Sequence, residues 1–299
     1  MCVLACGCLV VPAAQAPSDL DQLVERALAR RDSHWKTLPQ LVLEERDDLE
    51  MLGPSGARLF AQRSDFTWFP RDGVFVRSPL RINGRAVTEA QRQIEEADFI
   101  ARERRRDERR RATASPAVDA PELPLTPETA EALTAAVRPS FLQNNSLLMA
   151  LRYEPGRYGL VGRETRAGRG VVKIEYYPTT LFMAGRARPN RRVRERDSKV
   201  TERLNKASLL TLWIDPAQSQ IVRYEYADVD LGFLPGQWLA RVVDGRSSMS
   251  LDEVLPGIWL PTRAESFVRL QLPAGPVEAR FSIAYANYRR AEVGTRILK

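Results

Sequence analysis

Leu212-Trp213-Ile214-Asp215-Pro216 and Gly257-Ile258-Trp259-Leu260-Pro261-Thr262-Arg263 are the stretches on which the fold turns. The first is a short apolar strand running into a proline-led turn. The second opens a long segment that alternates apolar and polar residues to Leu272. Around them the pattern predicts strands over Leu209 to Asp215, Gln220 to Asp230, Gln237 to Val243, Arg246 to Leu255, Ile258 to Leu272 and Val277 to Arg289. Turns are expected at Pro216-Ala217, Asp244-Gly245 and Pro273-Ala274-Gly275-Pro276. Connections of hairpin length make consecutive strands antiparallel neighbours.

Toward the N-terminus, Leu20, Leu23, Val24, Ala27 and Leu28 recur at helical spacing between Ser18 and Trp35, with Ser18 or Asp19 as N-cap. Strands follow at Gln40 to Met51, Arg58 to Phe69 and Val74 to Leu80, separated by Gly53-Pro54-Ser55-Gly56 and Arg71-Asp72-Gly73. After the Asn83-Gly84 turn, Thr88 and Gln91 stand at capping-box spacing for a helix to about Ala112. Residues 112–125 form a proline-rich connector, helices are expected from Thr126 and over Pro139 to Leu151, and strands near Tyr158 to Thr165 and Val171 to Tyr177. Ser198 to Lys206 reads as a short helix leading into the hairpin.

With 299 residues, 44% of them hydrophobic, the chain can bury a full core, and one domain is expected over residues 17–299. Its 45 basic residues outnumber 38 acidic ones, and nearly all are arginine, which pairs well with carboxylate or phosphate. All the cysteines, Cys2, Cys6 and Cys8, lie in an apolar run ahead of Ala13-Ala14-Gln15-Ala16. That run reads as a signal peptide over residues 1–16, although it lacks a basic n-region. Cleavage after Ala16 would leave no cysteine for disulfides, thiolate catalysis or metal. Val3-Leu4-Ala5-Cys6 also resembles a lipobox, which would place a lipid anchor on Cys6 or Cys8 instead. Either route exports the protein, and the periplasm is the expected location.

Catalytic constellations are absent from the sequence pattern. His34 is the only histidine, so histidine-based triads and His/Cys metal sites are without material. Gly168-Arg169-Gly170 lies between strands and opens no helix, unlike a phosphate loop. Glu44-Glu45 and Glu95-Glu96 are sequence neighbours whose side chains point apart, and they read as solvated faces or salt bridges. No enzyme, cofactor or metal is therefore expected. The seven arginines between Arg102 and Arg111 leave two readings open, a self-paired solvated helix and a contact with an anionic surface through Arg104, Arg105, Arg109 and Arg110. Export argues against nucleic acid.

Aromatic residues give the clearer functional signal. Phe60, Phe66 and Trp68 share one strand face, and Trp213, Trp259, Phe267, Phe281 and Tyr285 stand at alternating positions. They either pack beneath the helices or line a ligand cavity.

The element order, with Leu212-Trp213-Ile214-Asp215-Pro216, Ile221-Val222-Arg223, Trp259-Leu260-Pro261-Thr262-Arg263 and Tyr285-Ala286-Asn287-Tyr288-Arg289, resembles the LolA/LolB-like superfamily of periplasmic lipoprotein carriers and receptors. The resemblance implies an α+β fold in which a curved, unclosed antiparallel half-barrel is covered on its concave face by helices. It also implies a greasy ligand, a lipid or lipoprotein acyl chain, with outer-membrane lipoprotein sorting as the process. A scaffold or stress sensor that binds protein partners is the alternative it offers. Phe60, Phe66, Trp68, Trp213 and Phe281 are the expected lining residues. The chain departs from the small carriers by a helical, Arg-rich insertion at about residues 88–151.

Overall fold

The computed structural model describes residues 18–112, 151–177, 209–227, 241–273 and 275–291. The leader with its cysteines, residues 126–150 of the expected helices and the one expected over 198–206, and the ends of the strands expected at 220–230 and 237–243 lie outside them. In chain order the elements are α1 (Asp19–Trp35), β1 (Leu41–Leu52), β2 (Arg58–Arg71), β3 (Val74–Ile82), β4 (Arg85–Ala86), α2 (Glu89–Ala112), β5 (Tyr158–Arg166), β6 (Arg169–Tyr176), β7 (Leu209–Asp215), β8 (Gln220–Ala227), β9 (Arg241–Leu255), β10 (Ile258–Leu272) and β11 (Gly275–Arg290). The strands form one eleven-stranded sheet in the order β4-β3-β2-β1-β11-β10-β9-β8-β7-β6-β5, with every described pairing antiparallel.

That order is a meander with one non-sequential neighbour pair, β1 beside β11. The two sheet edges, β4 and β5, are consecutive in the chain. The sheet is thus an unclosed meander, open where α2 and the rest of the insertion intervene in sequence. Hairpins β2–β3 and β3–β4 turn on Asp72-Gly73 and Asn83-Gly84, all four residues at positive φ, as a type I′ turn requires. Asp244-Gly245, expected to be a turn, lies inside β9 instead. A register shift against β10 there absorbs the irregularity, so the strand bulges and continues.

Register divides the sheet into two chemically opposite faces. One cross-strand row runs Ser64, Asp47, Ile283, Ala264, Met249, Tyr224, Leu212, Ile174 from β2 to β6, and every member is buried. Displaced by one residue, the row on the other face runs Arg63, Asp48, Ser282, Glu265, Ser248, Glu225, Thr211, Glu175, and every member is polar. A one-residue slip would exchange these rows, which is why the register is strongly specified.

Helix α1 packs on the core face against β5, β8 and β10. Ser18 and Asp21 cap it reciprocally, and Val24, Ala27 and Leu28 are its buried stripe. Burial of each larger side chain contributes about 1.5–3 kcal/mol. Arg31, on the same stripe, is only 1% exposed and donates to the Leu151 carbonyl at 2.8 Å. His34 Nδ1 accepts the Trp259 backbone N–H at 3.3 Å, tying the helix end to the start of β10. Helix α2 packs against β3, and its Phe99 meets Trp68 of the neighbouring β2 edge-on at 6.2 Å. The fold is therefore largely β, and the described helices cover the sheet only at these two places.

The Tyr288 hydroxyl donates to the buried Pro261 carbonyl, at the point where β10 bulges against β9. Tyr288→Phe should cost about 1–3 kcal/mol, the penalty for a buried carbonyl left without a donor. Urea denaturation with unchanged m-value would register it; an unchanged midpoint would show that the bond contributes nothing.

Candidate functional site

Strand β1 reads Leu41, Leu43, Glu45, Asp47, Leu49, Met51 along its core face. Two carboxylates thus stand where the alternation demands apolar side chains. The Glu45 side chain is fully buried and both its oxygens are engaged. Oε2 accepts the Trp68 indole N–H at 2.8 Å, and Oε1 accepts Arg77 Nε at 2.7 Å together with Nη2. Arg77 Nη2 also donates to Asp47 Oδ2, and its guanidinium lies 3.4 Å over the centre of the Phe66 ring. These positions follow from register, because Trp68 pairs with both Leu43 and Arg77, and Phe66 pairs with Glu45.

The remaining oxygen, Asp47 Oδ1, is buried and accepts no hydrogen bond among the described residues. Asp47 borders a cavity of about 10 Å³ that Leu49, Gln62, Ser64, Phe66, Arg77 and Phe281 also line, the scale of one heavy atom. Burial, and then the charge of Glu45, push the Asp47 carboxyl up to about 8 against the opposing pull of Arg77. The Tyr285 hydroxyl, cross-strand from Glu45, is likewise buried without a hydrogen-bond partner among the described residues. Burial and the charge of Glu45 hold it well above the ordinary tyrosine range.

Four of the five expected lining residues share the core face with this cluster. Phe60, Phe66 and Trp68 lie on the core face of β2, and Phe281 lies on the same face of β11, cross-strand from Leu49. Trp68 and Phe281 are buried in the core, Phe66 is half-buried under Arg77, and Phe60 remains 38% exposed. Trp213 is elsewhere. It pairs with Lys173 and Arg223 on the polar face, where Arg166, Lys173 and Arg223 stand 4.5, 5.7 and 5.8 Å from its ring. Its tryptophan is buried by cations rather than by helices. Glu45, Asp47 and Arg77 were missed as a site. The alternation of β1 itself carried the signal, since Glu45 and Asp47 share parity with Leu43 and Leu49.

The polar face carries a groove of about 1010 Å³ running from the Asn83-Gly84 turn across β2, β1, β11 and β10 to Arg246. Side chains in it alternate in charge, with Arg63 on Asp48, Arg58 on Glu50, and Arg269 and Arg280 both on Glu278. Phe267 lies beneath Arg246 and Arg269, at 4.7 and 5.5 Å. On α2, Arg104 and Arg105 are exposed, while the side chains of Arg109 and Arg110 lie outside the described residues. Glu96 of the same helix is buried and accepts from Arg71 and Ser78.

No protein-family model matches this sequence, nor does any curated protein. Among solved structures, similarity extends to a DUF1329 family protein from Desulfovibrio piger, 14% identical over 93% of this chain and 95% of that one, with a TM-score of 0.35. The MucA/MucB complex of Pseudomonas aeruginosa also matches, at 10% identity over 92% and 100% of the two chains and a TM-score of 0.19. Likenesses at this level leave function to be read from the residues.

Asp47 gives the site a pH signature. Its folded pKa of about 8 exceeds the ordinary 3.8, so folding favours the protonated form. The resulting stability is complete below the ordinary value and is lost as pH rises through the folded one, by up to about 1.4 kcal/mol per pH unit. Asp47→Asn should flatten this decline and raise the urea midpoint on the alkaline side. An identical pH slope in the variant would remove Asp47 as its source.

Proposed function

We propose that this protein is a non-enzymatic, exported binding protein of the bacterial envelope that holds the acyl chain of a lipid or lipoprotein against the core face of its sheet. One observation carries the reading. The cross-strand row Phe60, Met51, Ala279, Val268 continues the apolar core face across four strands, yet all four residues remain at least partly exposed. An apolar row that continues the core without being buried offers surface worth about 25 cal/mol per Å² to whatever covers it. The described helices pack elsewhere, α1 on β5, β8 and β10, meeting β10 at Trp259, and α2 on β3. The exposed Arg104 and Arg105 suit an approach to an anionic membrane surface, consistent with sorting of outer-membrane lipoproteins.

A second reading, a scaffold for protein partners, is favoured by the charged groove on the other face. Its alternating arginines and carboxylates are suited to steering and registering a charged protein surface.

Native mass spectrometry of the protein purified from a bacterial periplasm, with lipid extraction in parallel, separates the two. A co-purifying lipid mass that disappears in Phe60→Asp, with the circular dichroism unchanged, is the expected result. An apo mass together with a stable protein partner that Arg63→Glu releases would overturn the lipid reading in favour of the scaffold.

A further inference from the structure

The cluster around Arg77 is one positive charge short. Glu45 and Asp47 present two carboxylates to a single guanidinium, and nothing else cationic is hydrogen-bonded to them among the described residues. Both Glu45 oxygens are engaged, Oε2 by Trp68 and Oε1 by Arg77. The deficit therefore falls on Asp47, whose residue is 7% exposed and whose Oδ1 accepts nothing among the described residues.

Asp47 borders the cavity of about 10 Å³, and Arg77, which also lines it, is already held by Glu45. The rings of Phe66 and Phe281 border it, with the half-buried Gln62 between the cavity and Phe60. Aromatic walls with one carboxylate form the usual surroundings of a bound ammonium group. Charge matters as much as shape, because a second carboxylate sharing one guanidinium in such a place is costly unless neutralised. A proton performs that role when the cavity holds no cation, and burial beside Glu45 raises Asp47 accordingly.

Position along β2 connects this cavity to the exposed apolar row. Phe60, Gln62, Ser64 and Phe66 are successive core-face residues, paired in turn with Met51, Leu49, Asp47 and Glu45. A chain lying on Phe60 and Met51 would bring its head group to Asp47 within two residue pairs, about 13 Å. We propose that Asp47 is the head-group site for a primary ammonium on an apolar chain, its Oδ1 accepting the ammonium N–H and giving up its proton to solvent on binding. The inference rests on the acyl-binding reading above and adds to it the charge of the ligand's head. Proton balance is complete: one proton leaves the Asp47 carboxyl, and the arriving ammonium supplies the charge that the proton had supplied.

Isothermal titration calorimetry of the full mature chain with dodecylammonium, dodecanol and dodecanoate, each below its critical micelle concentration, tests this directly. Dodecylammonium should bind at least about tenfold more tightly than dodecanoate, a difference of about 1.4 kcal/mol. Repeating the titration at neutral pH in buffers of different ionisation enthalpy should show proton release with dodecylammonium and none with dodecanol. Asp47→Asn should abolish both the preference and the proton release while still binding dodecanol. Ser64→Ala, which leaves the carboxylate in place, should keep both. Equal affinities for the three amphiphiles, or a preference that survives Asp47→Asn, would overturn the ammonium site and leave the apolar-chain reading standing. Failure of all three to bind would overturn both.

Discussion

The antiparallel ladder between β1 and β11 is the contact on which the rest of the structure depends. It joins two meanders from opposite ends of the chain, and the Asn287 amide reaches Glu44 across 243 residues of sequence. Without it, the strands from β2 to β4 have no sheet to extend and the core face stops at β11. Closing so long a loop costs entropy that only the completed ladder and its buried row return. The pairing also opens the sheet in one particular place, because its two edges become the chain neighbours β4 and β5.

The same strand that completes the sheet introduces its polar interior. β1 supplies Leu41, Leu43 and Leu49 to the core, and between them Glu45 and Asp47. An apolar trio of similar volume would hold the sheet at least as well, since desolvating the Glu45–Arg77 pair and the Asp47 carboxyl offsets most of their mutual attraction. What the ionic cluster adds is directional. Trp68, Arg77 and Glu45 fix one another's orientation, and Phe66 is pinned beneath the guanidinium. This constrains the aromatic stripe of β2 to one arrangement, from the buried Trp68 to the exposed Phe60. The opposite face solves a related problem differently. There Trp213, Trp259 and Phe267 are shielded by arginine and lysine stems and guanidinium planes rather than by helices. An arginine-rich chain can in this way roof aromatic side chains on a face that otherwise carries mostly charged and polar residues.

Much of the fold was legible because hairpins are local. Strand boundaries from β1 to β3 and from β7 to β8 follow the alternation, and the Asp72-Gly73 and Asn83-Gly84 turns follow from residues that tolerate positive φ. The Asp244-Gly245 pair misled for an equally local reason. Its composition fits a turn or a bulge, and only the continuous β10 partner decides between them. In the site, the shared face of Phe60, Phe66 and Trp68 was readable from parity within one strand. The parity of Trp213 relative to them was not, because bulges between Val42 and Glu44, Pro261 and Arg263, and Trp213 and Ile214 alter the phase from strand to strand.

The sequence by itself determined the antiparallel, hairpin-rich sheet, the amphipathic α1 and the shared face of Phe60, Phe66 and Trp68 on β2. Each depends on periodicity or turn chemistry within a few residues. Tertiary structure decided the β1–β11 union, the assignment of Trp213 to the polar face and the meeting of Glu45 and Asp47 with Arg77 from β3. These are set by register accumulated across several strands, and a single bulge reverses which face a side chain occupies.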